Sequence, residues 1–293
     1  MSCNSAEVAA NDGSSNGGEK QQQQEEEVVC VTGAGGFIGS WVVKEHLLRG
    51  YRVRGTARDP TKNAHLLALD GAGERLTLCR ADVLDSESLR AAFAGCHGVF
   101  HVASPVSNDP VYCYAKTMAE KAAEEEAAKR GVQLAVVLPC VTVGPILHPA
   151  INTSINHVVR YLTGAAPTYP NAVAAYVDVR DVARAHALVY ERHDARGRYL
   201  CIGAVLHRAH LLQMLKELFP QYPVTSKCKD DGNPMVEPYK FSNQRLKDLG
   251  FEFTPMRKCL YDAVVCMQQK GHLPLVGTAV PDQNVTSNTS SIV

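Results

Sequence analysis

The chain is 293 residues long and carries 30 basic and 30 acidic side chains, a formal net charge of zero. That balance argues against nucleic acid or an anionic membrane as its main partner, and no apolar run approaches the length needed to cross a bilayer. With 45% hydrophobic and 20% charged residues it reads as a globular chain, either one large α/β domain or a nucleotide domain with a smaller lobe.

Residues 1–27 are rich in Ser, Asn, Gly, Gln and Glu. They hold neither the apolar core of a secretory signal nor the Arg-rich, acid-poor pattern of a transit peptide, so they predict a disordered tail on a cytoplasmic protein. The 10 cysteines include no Cys-x-x-Cys pair. They fit reduced thiols packed as small hydrophobes, with no metal site.

At Val28 the pattern changes. A β-branched run, Val28 to Thr32, predicts a strand that enters a turn containing Gly33, Gly35, Gly36 and Gly39, followed by an amphipathic helix from Phe37 to Arg49. Gly33 suits a tight turn, Gly36 lets backbone approach a pyrophosphate, and Gly39 lets helix and strand pack closely. The free N–H groups and positive dipole at the start of that helix then favour phosphate. Strand, turn and helix follow in the order a dinucleotide site requires.

Further strands are predicted near 51–57, 76–80, 98–102 and 133–138, most separated by helical patterns. This alternation implies an α/β fold, a Rossmann-type doubly wound parallel sheet. The second half predicts a helix near 179–192 with Asp178 as N-cap and Val182, Ala183, Ala185, His186 and Val189 on one side. A strand near 198–202 follows, then helices near 207–218, 242–249 and 256–270, a small, mostly helical lobe over a substrate cleft. The expected organisation is a dinucleotide domain at 28–147 with 172–202, a substrate lobe at 148–171 with 203–274, and a second disordered tail at 275–293.

The second strand ends in Arg58, with Lys62 one turn further on. A guanidinium suits a 2′-phosphate and so favours NADP(H); the adjacent Asp59 leaves NAD as the alternative. Asp82, directly after the third strand, is positioned either for the adenine or to cap the helix that begins near Ser86. Of 11 tyrosines only Tyr112 has a lysine four positions on, Lys116. On a helix from Tyr112 to Arg130 both share a face, where an ammonium favours the phenolate and readies the phenol for proton exchange.

Together with these features, Val-Phe-His-Val-Ala-Ser-Pro (99–105), Tyr-Cys-Tyr-Ala-Lys (112–116), Ala-Tyr-Val-Asp-Val-Arg-Asp-Val-Ala (175–183) and Pro-Tyr-Lys-Phe-Ser-Asn-Gln-Arg-Leu-Lys-Asp-Leu-Gly (238–250) resemble the plant cinnamoyl-CoA reductases of the extended short-chain dehydrogenase/reductase family. The resemblance spans roughly residues 28–274. It implies NADPH-dependent reduction of a hydroxycinnamoyl-CoA thioester to the aldehyde in lignin precursor synthesis, with a small-molecule acyl-CoA as partner. It assigns Gly33, Gly35, Gly36, Phe37, Ile38 and Gly39 to the pyrophosphate and Arg58 with Lys62 to the 2′-phosphate. Asp82 and Val83 flank the adenine, and Val102, Ala103 and Ser104 line the cofactor near its middle. Tyr112 is the proton donor and Lys116 its partner, while Pro139, Thr142 and Ser154 border nicotinamide and substrate. His207 and Arg208 also match; Arg208 is expected to meet either CoA phosphates or a surface carboxylate.

One departure stands out. In the family a helix and another strand, bearing a serine that bonds the substrate carbonyl, lie between Ala-Ser-Pro and the tyrosine. Here only residues 105–111 separate Ser104 from Tyr112. A helix of about 11–12 residues and a strand of 5–6 do not fit into a stretch that reaches at most about 25 Å. The strand near 133–138 must then close up beside the strand near 98–102 or leave an unpaired slot. Badly impaired catalysis is the expectation. The alternatives are a catalytically silent nucleotide-binding protein and a ketone reductase of the dihydroflavonol type.

Overall fold

A computed structural model of the chain describes residues 27–104 and 110–275. The predicted tails, apart from Glu27 and Leu275, and Ser107 in the shortened connection lie outside the described residues.

Strand β1 (Val28–Thr32) sits inside a four-stranded parallel sheet, ordered β3 (Leu76–Arg80), β2 (Arg52–Ala57), β1 and β4 (Gly98–His101). Side chains alternate between faces along a strand. Val29 and Val31 therefore pack with Val53, Phe100 and helix α1 (Phe37–Leu48), while Cys30 faces helix α3 (Ser86–Phe93) on the other side. A 3-10 helix, Pro60–Ala68, and the short α2 (Ala72–Arg75) join β2 to β3.

The chain continues through α4 (Pro110–Arg130), β5 (Ala135–Pro139), β6 (Val141–Val143), α5 (Thr153–Leu162), β7 (Val173–Asp178), α6 (Val179–Glu191), β8 (Gly197–Cys201), β9 (Ala204–His207), α7 (Arg208–Leu218), α8 (Gln244–Asp248) and α9 (Met256–Gln269). Asp178 caps α6 as predicted, accepting from Arg180 N at 2.8 Å, and Val182, Ala183, Ala185 and Val189 are buried. The second half is less helical than expected. Strands β6, β7 and β9 form a three-stranded sheet in which β9 returns antiparallel to β7. These strands are short or diluted by alanine, so the alternation that marks a strand is too brief to stand out in the sequence.

The parallel sheet is interrupted where the sequence is short. Among the described residues β4 pairs only with β1, and β5 pairs only with β8. The unpaired slot therefore exists, and β5 has not closed up on β4. Both strands rest on α6, β4 through Phe100 against His186 and Tyr190, and β5 through Ala135 and Val137 against Val182, Ala185 and Val189. Helix α6 thus holds the two sheet fragments on one floor without a backbone ladder between them.

Helix α4 bears the consequence. From Val111 to Arg130 no side chain is buried, and Val111, Tyr114 and Met118 are exposed. A cavity of about 220 Å³, lined by Glu124, Ala127, Ala128, Val132, Leu134 and Val136 with Gly197, separates its C-terminal half from β5. Most helical stability comes from packing an apolar face. In α4 the support is polar and mostly local instead, with Pro110 at the first position, Glu126 paired to Lys129 and Arg130, and Glu120 paired to Arg198 on β8 at 2.8 Å.

Burial also makes folding pH-dependent. His46 on α1 is fully buried, its Nδ1–H donating to Val42 O at 2.7 Å, with its Nε2 unpartnered among the described residues. Burial lowers its pKa to about 4. The unfolded chain, with an ordinary histidine near 6.5, binds the proton first as pH falls, so this contribution is complete above about pH 6.5 and lost toward pH 4. Between pH 7.5 and pH 5, urea unfolding of His46→Gln should lose about 2 kcal/mol less stability than the parent chain does, the remaining loss belonging to the other buried histidines, His157 among them. An equal pH dependence in that variant would refute the assignment.

Candidate dinucleotide and active site

Parallel strands end on the same side of a sheet, so residues that follow them meet along one edge. The glycine turn follows β1, Arg58 follows β2, Asp82 and Val83 follow β3, and Val102, Ala103 and Ser104 follow β4. Pro139 ends β5, across the interruption.

In the glycine turn Gly33 has φ 64°, a left-handed backbone, and a Cβ there would lie 2.9 Å from Ala103 Cα. At Gly39 a Cβ would come within 2.2 Å of Gly33 O, so the helix packs on the turn only because this side chain is absent. At Gly36 a Cβ would meet only Gly33 O, at 3.2 Å, which leaves its outer side open. Gly36 is the N-cap of α1 and no side chain caps the helix, so first-turn N–H groups, including those of Phe37 and Ile38, remain for a ligand. The cradle fits a dinucleotide pyrophosphate. Gly35 serves a contact that sequence did not reveal: a Cβ there would overlap the buried Asn63 amide at 1.8 Å.

Arg58 is exposed and has no ion-pair partner among the described residues. Lys62, also exposed, lies 3.7 Å from Asp59. The Asp59 carboxylate is already engaged: its Oδ1 accepts from Thr61 N at 3.2 Å and from Thr61 Oγ1 at 2.5 Å, capping the 3-10 helix. These bonds hold its carboxyl below the usual carboxylate range. Asp82 Oδ1 accepts from Leu84 N at 3.0 Å, while Asp85 caps α3 through Glu87 N and Ser88 N. The capping alternative for Asp82 is therefore wrong, because the helix starts one turn too late for it.

Tyr112 and Lys116 occupy the first two turns of α4, Tyr112 half-buried and Lys116 exposed. His101 at the end of β4 contacts Thr32 Oγ1 through Nδ1 at 3.1 Å, and the same oxygen accepts from Ala103 N at 3.1 Å. Burial, and then the nearby Lys116 ammonium, lower the His101 pKa. The Lys116 charge is thus felt at the end of β4. Thr142 Oγ1 is tied to Cys140 O at 3.0 Å, and Ser154 Oγ accepts from Asn152 Nδ2 at 2.8 Å.

Arg208 is buried, not paired with a surface carboxylate. Its guanidinium donates to Tyr176 OH and, at 2.6 Å, to His157 Nε2. Because arginine only donates, His157 carries its proton on Nδ1, and burial with Arg208 and Arg160 nearby lowers its pKa to about 4. No carboxylate compensates this buried guanidinium among the described residues. His157 and Arg160 line a cavity of about 220 Å³ with Tyr161, Ala166, Pro167 and Thr168. Sequence reading missed His157 and Arg160; a cation at helical spacing i, i+3 on α5 was the available signal. His207 is a helix cap, accepting from Ala209 N at 3.1 Å.

The glycine cradle on a doubly wound parallel sheet, followed by a Tyr-x-x-x-Lys helix, defines a nucleotide-dependent class of enzymes. The chain belongs to the NAD dependent epimerase/dehydratase family, which matches residues 29–112 and 104–203. It is 61% identical to cinnamoyl-CoA reductase 1 of Oryza sativa subsp. japonica over 313 aligned positions, covering 85% of this chain and 93% of the rice protein. It is 47% identical to cinnamoyl-CoA reductase 1 of Petunia hybrida, with 85% and 94% covered. Among solved structures, vestitone reductase from alfalfa (Medicago sativa L.) superimposes with a TM-score of 0.75 at 26% identity, covering 85% of this chain and 100% of that one.

These matches also measure the interruption. Since 85% of 293 residues is about 249, about 64 of the 313 positions in the rice alignment face no residue of this chain. The two family matches meet at residues 104–112, beside the slot. About 64 residues hold a helix of 11–12, a strand of 5–6 and their loops with room to spare.

Proposed function

We propose that this chain is a hydroxycinnamoyl-CoA reductase by descent that binds NADPH and, in its shortened form, turns over poorly. The observation that carries the reading is the open glycine cradle at the start of α1, in a chain whose α4 bears the Tyr112-x-x-x-Lys116 pair. The relatives at 61% and 47% identity support the substrate class.

When bound, the reduced nicotinamide supplies a hydride to the thioester carbonyl carbon. Tyr112 gives its phenolic proton to the carbonyl oxygen, and the Lys116 ammonium stabilises the phenolate left behind. The C–S bond then breaks as the hydroxyl proton returns to the Tyr112 phenolate, releasing the aldehyde, and the CoA thiolate takes a proton from solvent and leaves as the thiol. Gly33 to Gly39 hold the pyrophosphate, with Asp82 and Val83 at the adenine and Val102 to Ser104 along the middle of the cofactor. Pro139, Thr142 and Ser154 border the reacting end. The buried Arg208 fixes His157 as an Nδ1–H donor, and with Arg160 the two favour a phosphate of CoA in the adjoining cavity.

The unpartnered Arg58 and the engaged Asp59 favour a 2′-phosphate over a bare ribose. Arg58→Ala should weaken NADPH about 10–100-fold, the equivalent of a charged hydrogen bond worth 1.5–3 kcal/mol, and leave NADH nearly unchanged. Fluorescence titration with each cofactor measures this, and equal weakening would overturn the preference. Mixing the chain with NADPH and feruloyl-CoA tests the main reading. Cofactor binding with slow oxidation is expected, absence of binding rejects it, and oxidation with dihydroquercetin alone points to a ketone reductase.

A further inference from the structure

Sheet register brings two thiols and a guanidinium to one face, under α3, and the turn after α3 adds a third thiol. Cys30 on β1 pairs in register with Arg54 on β2, and Thr56, two residues on, pairs with Cys79 on β3. Registered neighbours and residues two apart share a face, so Cys30, Arg54 and Cys79 point the same way. Leu89, Ala92 and Phe93 of α3 cover them, and Cys96 reaches back beneath the turn that follows the helix. Cys96 Sγ–H donates to Ala92 O at 3.6 Å, and Cys96 packs on the small cluster in which Cys30 is buried. Arg54 Nη1 donates to Ala92 O at 2.7 Å and Ala94 O at 2.8 Å, which fixes this turn over the thiols.

The two thiols differ in access. Cys30 is fully buried, whereas Cys96 is partly exposed. Burial, with Cys96 and Cys79 beside it and Arg54 opposing, pushes the Cys30 thiol up to about 12. Cys30 is thus a protonated, shielded thiol that solvent does not reach directly, and Cys96 is the one that meets a soluble oxidant.

We propose that Cys96 and Cys30 form a peroxide-reactive dithiol, unrelated to hydride transfer, in which Cys96 is attacked first and Cys30 resolves it. The Cys96 thiolate attacks one oxygen of a hydroperoxide, the O–O bond breaks, and the leaving oxygen takes a proton; with hydrogen peroxide this forms water. Cys96 is then a sulfenic acid. Cys30 Sγ attacks Cys96 Sγ, the S–O bond breaks, and the departing hydroxide carries the Cys30 proton away as water. The two thiols lose two electrons and the peroxide gains them. Arg54, adjacent to Cys30 in register, stabilises its sulfur as the proton leaves. The product ties β1, three residues before Gly33, to the turn between α3 and β4.

Full-length reduced chain is treated with one equivalent of hydrogen peroxide, blocked with iodoacetamide and mapped by mass spectrometry without reduction. A Cys30–Cys96 linked peptide should be the main product, reversed by dithiothreitol and retained in Cys79→Ala. In Cys96→Ala, Cys30 should stay reduced. Linkage of Cys96 to Cys79, links between chains, or over-oxidised Cys96 beside a free Cys30 would each overturn the proposal. The same treatment in urea separates geometry from chance pairing. The native chain must give a more selective product than the unfolded one, and equal mixtures reject the dithiol.

Discussion

A chimera that carries the rice relative's extra segment between Ser104 and Pro110 reduces feruloyl-CoA at least about 100-fold faster than the chain as it stands. Two independent losses converge on this figure. First, β5 ends at Pro139 across an unpaired slot from β4, and α4 buries none of its side chains from Val111 to Arg130, so Tyr112 and Lys116 stand on a helix held to the sheet by the Glu120–Arg198 ion pair and not by a packed face. A displacement of about 1 Å costs a rate about 100-fold, and one strand spacing is about 4.8 Å. Second, the family's carbonyl-binding serine has no counterpart on a described strand end, and a donor of that kind is worth about 2.7–4 kcal/mol. Steady-state oxidation of NADPH compares the two proteins, and circular dichroism establishes that both are folded. Equal kcat in both would show that the slot does not matter to the chemistry.

In that chimera Tyr112→Phe should lower kcat by about 10²–10⁴ while NADPH affinity stays within about twofold. In the proposed mechanism the phenol supplies the proton, and nothing in the cradle from Gly33 to Gly39 depends on it, so loss of the hydroxyl is expected to fall on turnover alone. Lys116→Met should reduce both turnover and cofactor affinity, because its charge is felt at the end of β4 and it lies one helical turn from Tyr112. A Tyr112→Phe protein that retains full kcat would remove the proton donor from the mechanism. If affinity rather than kcat collapsed, the tyrosine would be a binding residue instead.

Local chemistry is why so much of the nucleotide half was legible. The turn after β1 needs a left-handed residue at Gly33 and bare backbone at Gly39, and only glycine meets both demands. The β-branched run before it and the apolar spacing of α1 and α6 follow from periods of 2 and 3.6. The substrate side was harder to read. His157 and Arg160 are unremarkable on α5 until β7 and α7 bring Tyr176 and Arg208 against them. Strands β6 and β9 are only three and four residues long and β7 is diluted by Ala174 and Ala175, so their pattern is too brief to read before neighbours pair with them.

By itself the sequence determined that a strand–glycine–helix unit opens the fold and that the stretch before Tyr112 is too short for a helix and a strand. Both follow from residue type and spacing along the chain. Only the tertiary structure decided what became of that absence: α6 props β4 and β5 on a common floor, so the sheet keeps a slot rather than closing, and α4 is left without a face to bury. That outcome depends on packing between segments far apart in the chain, where side-chain volume and not local propensity sets the lowest free energy.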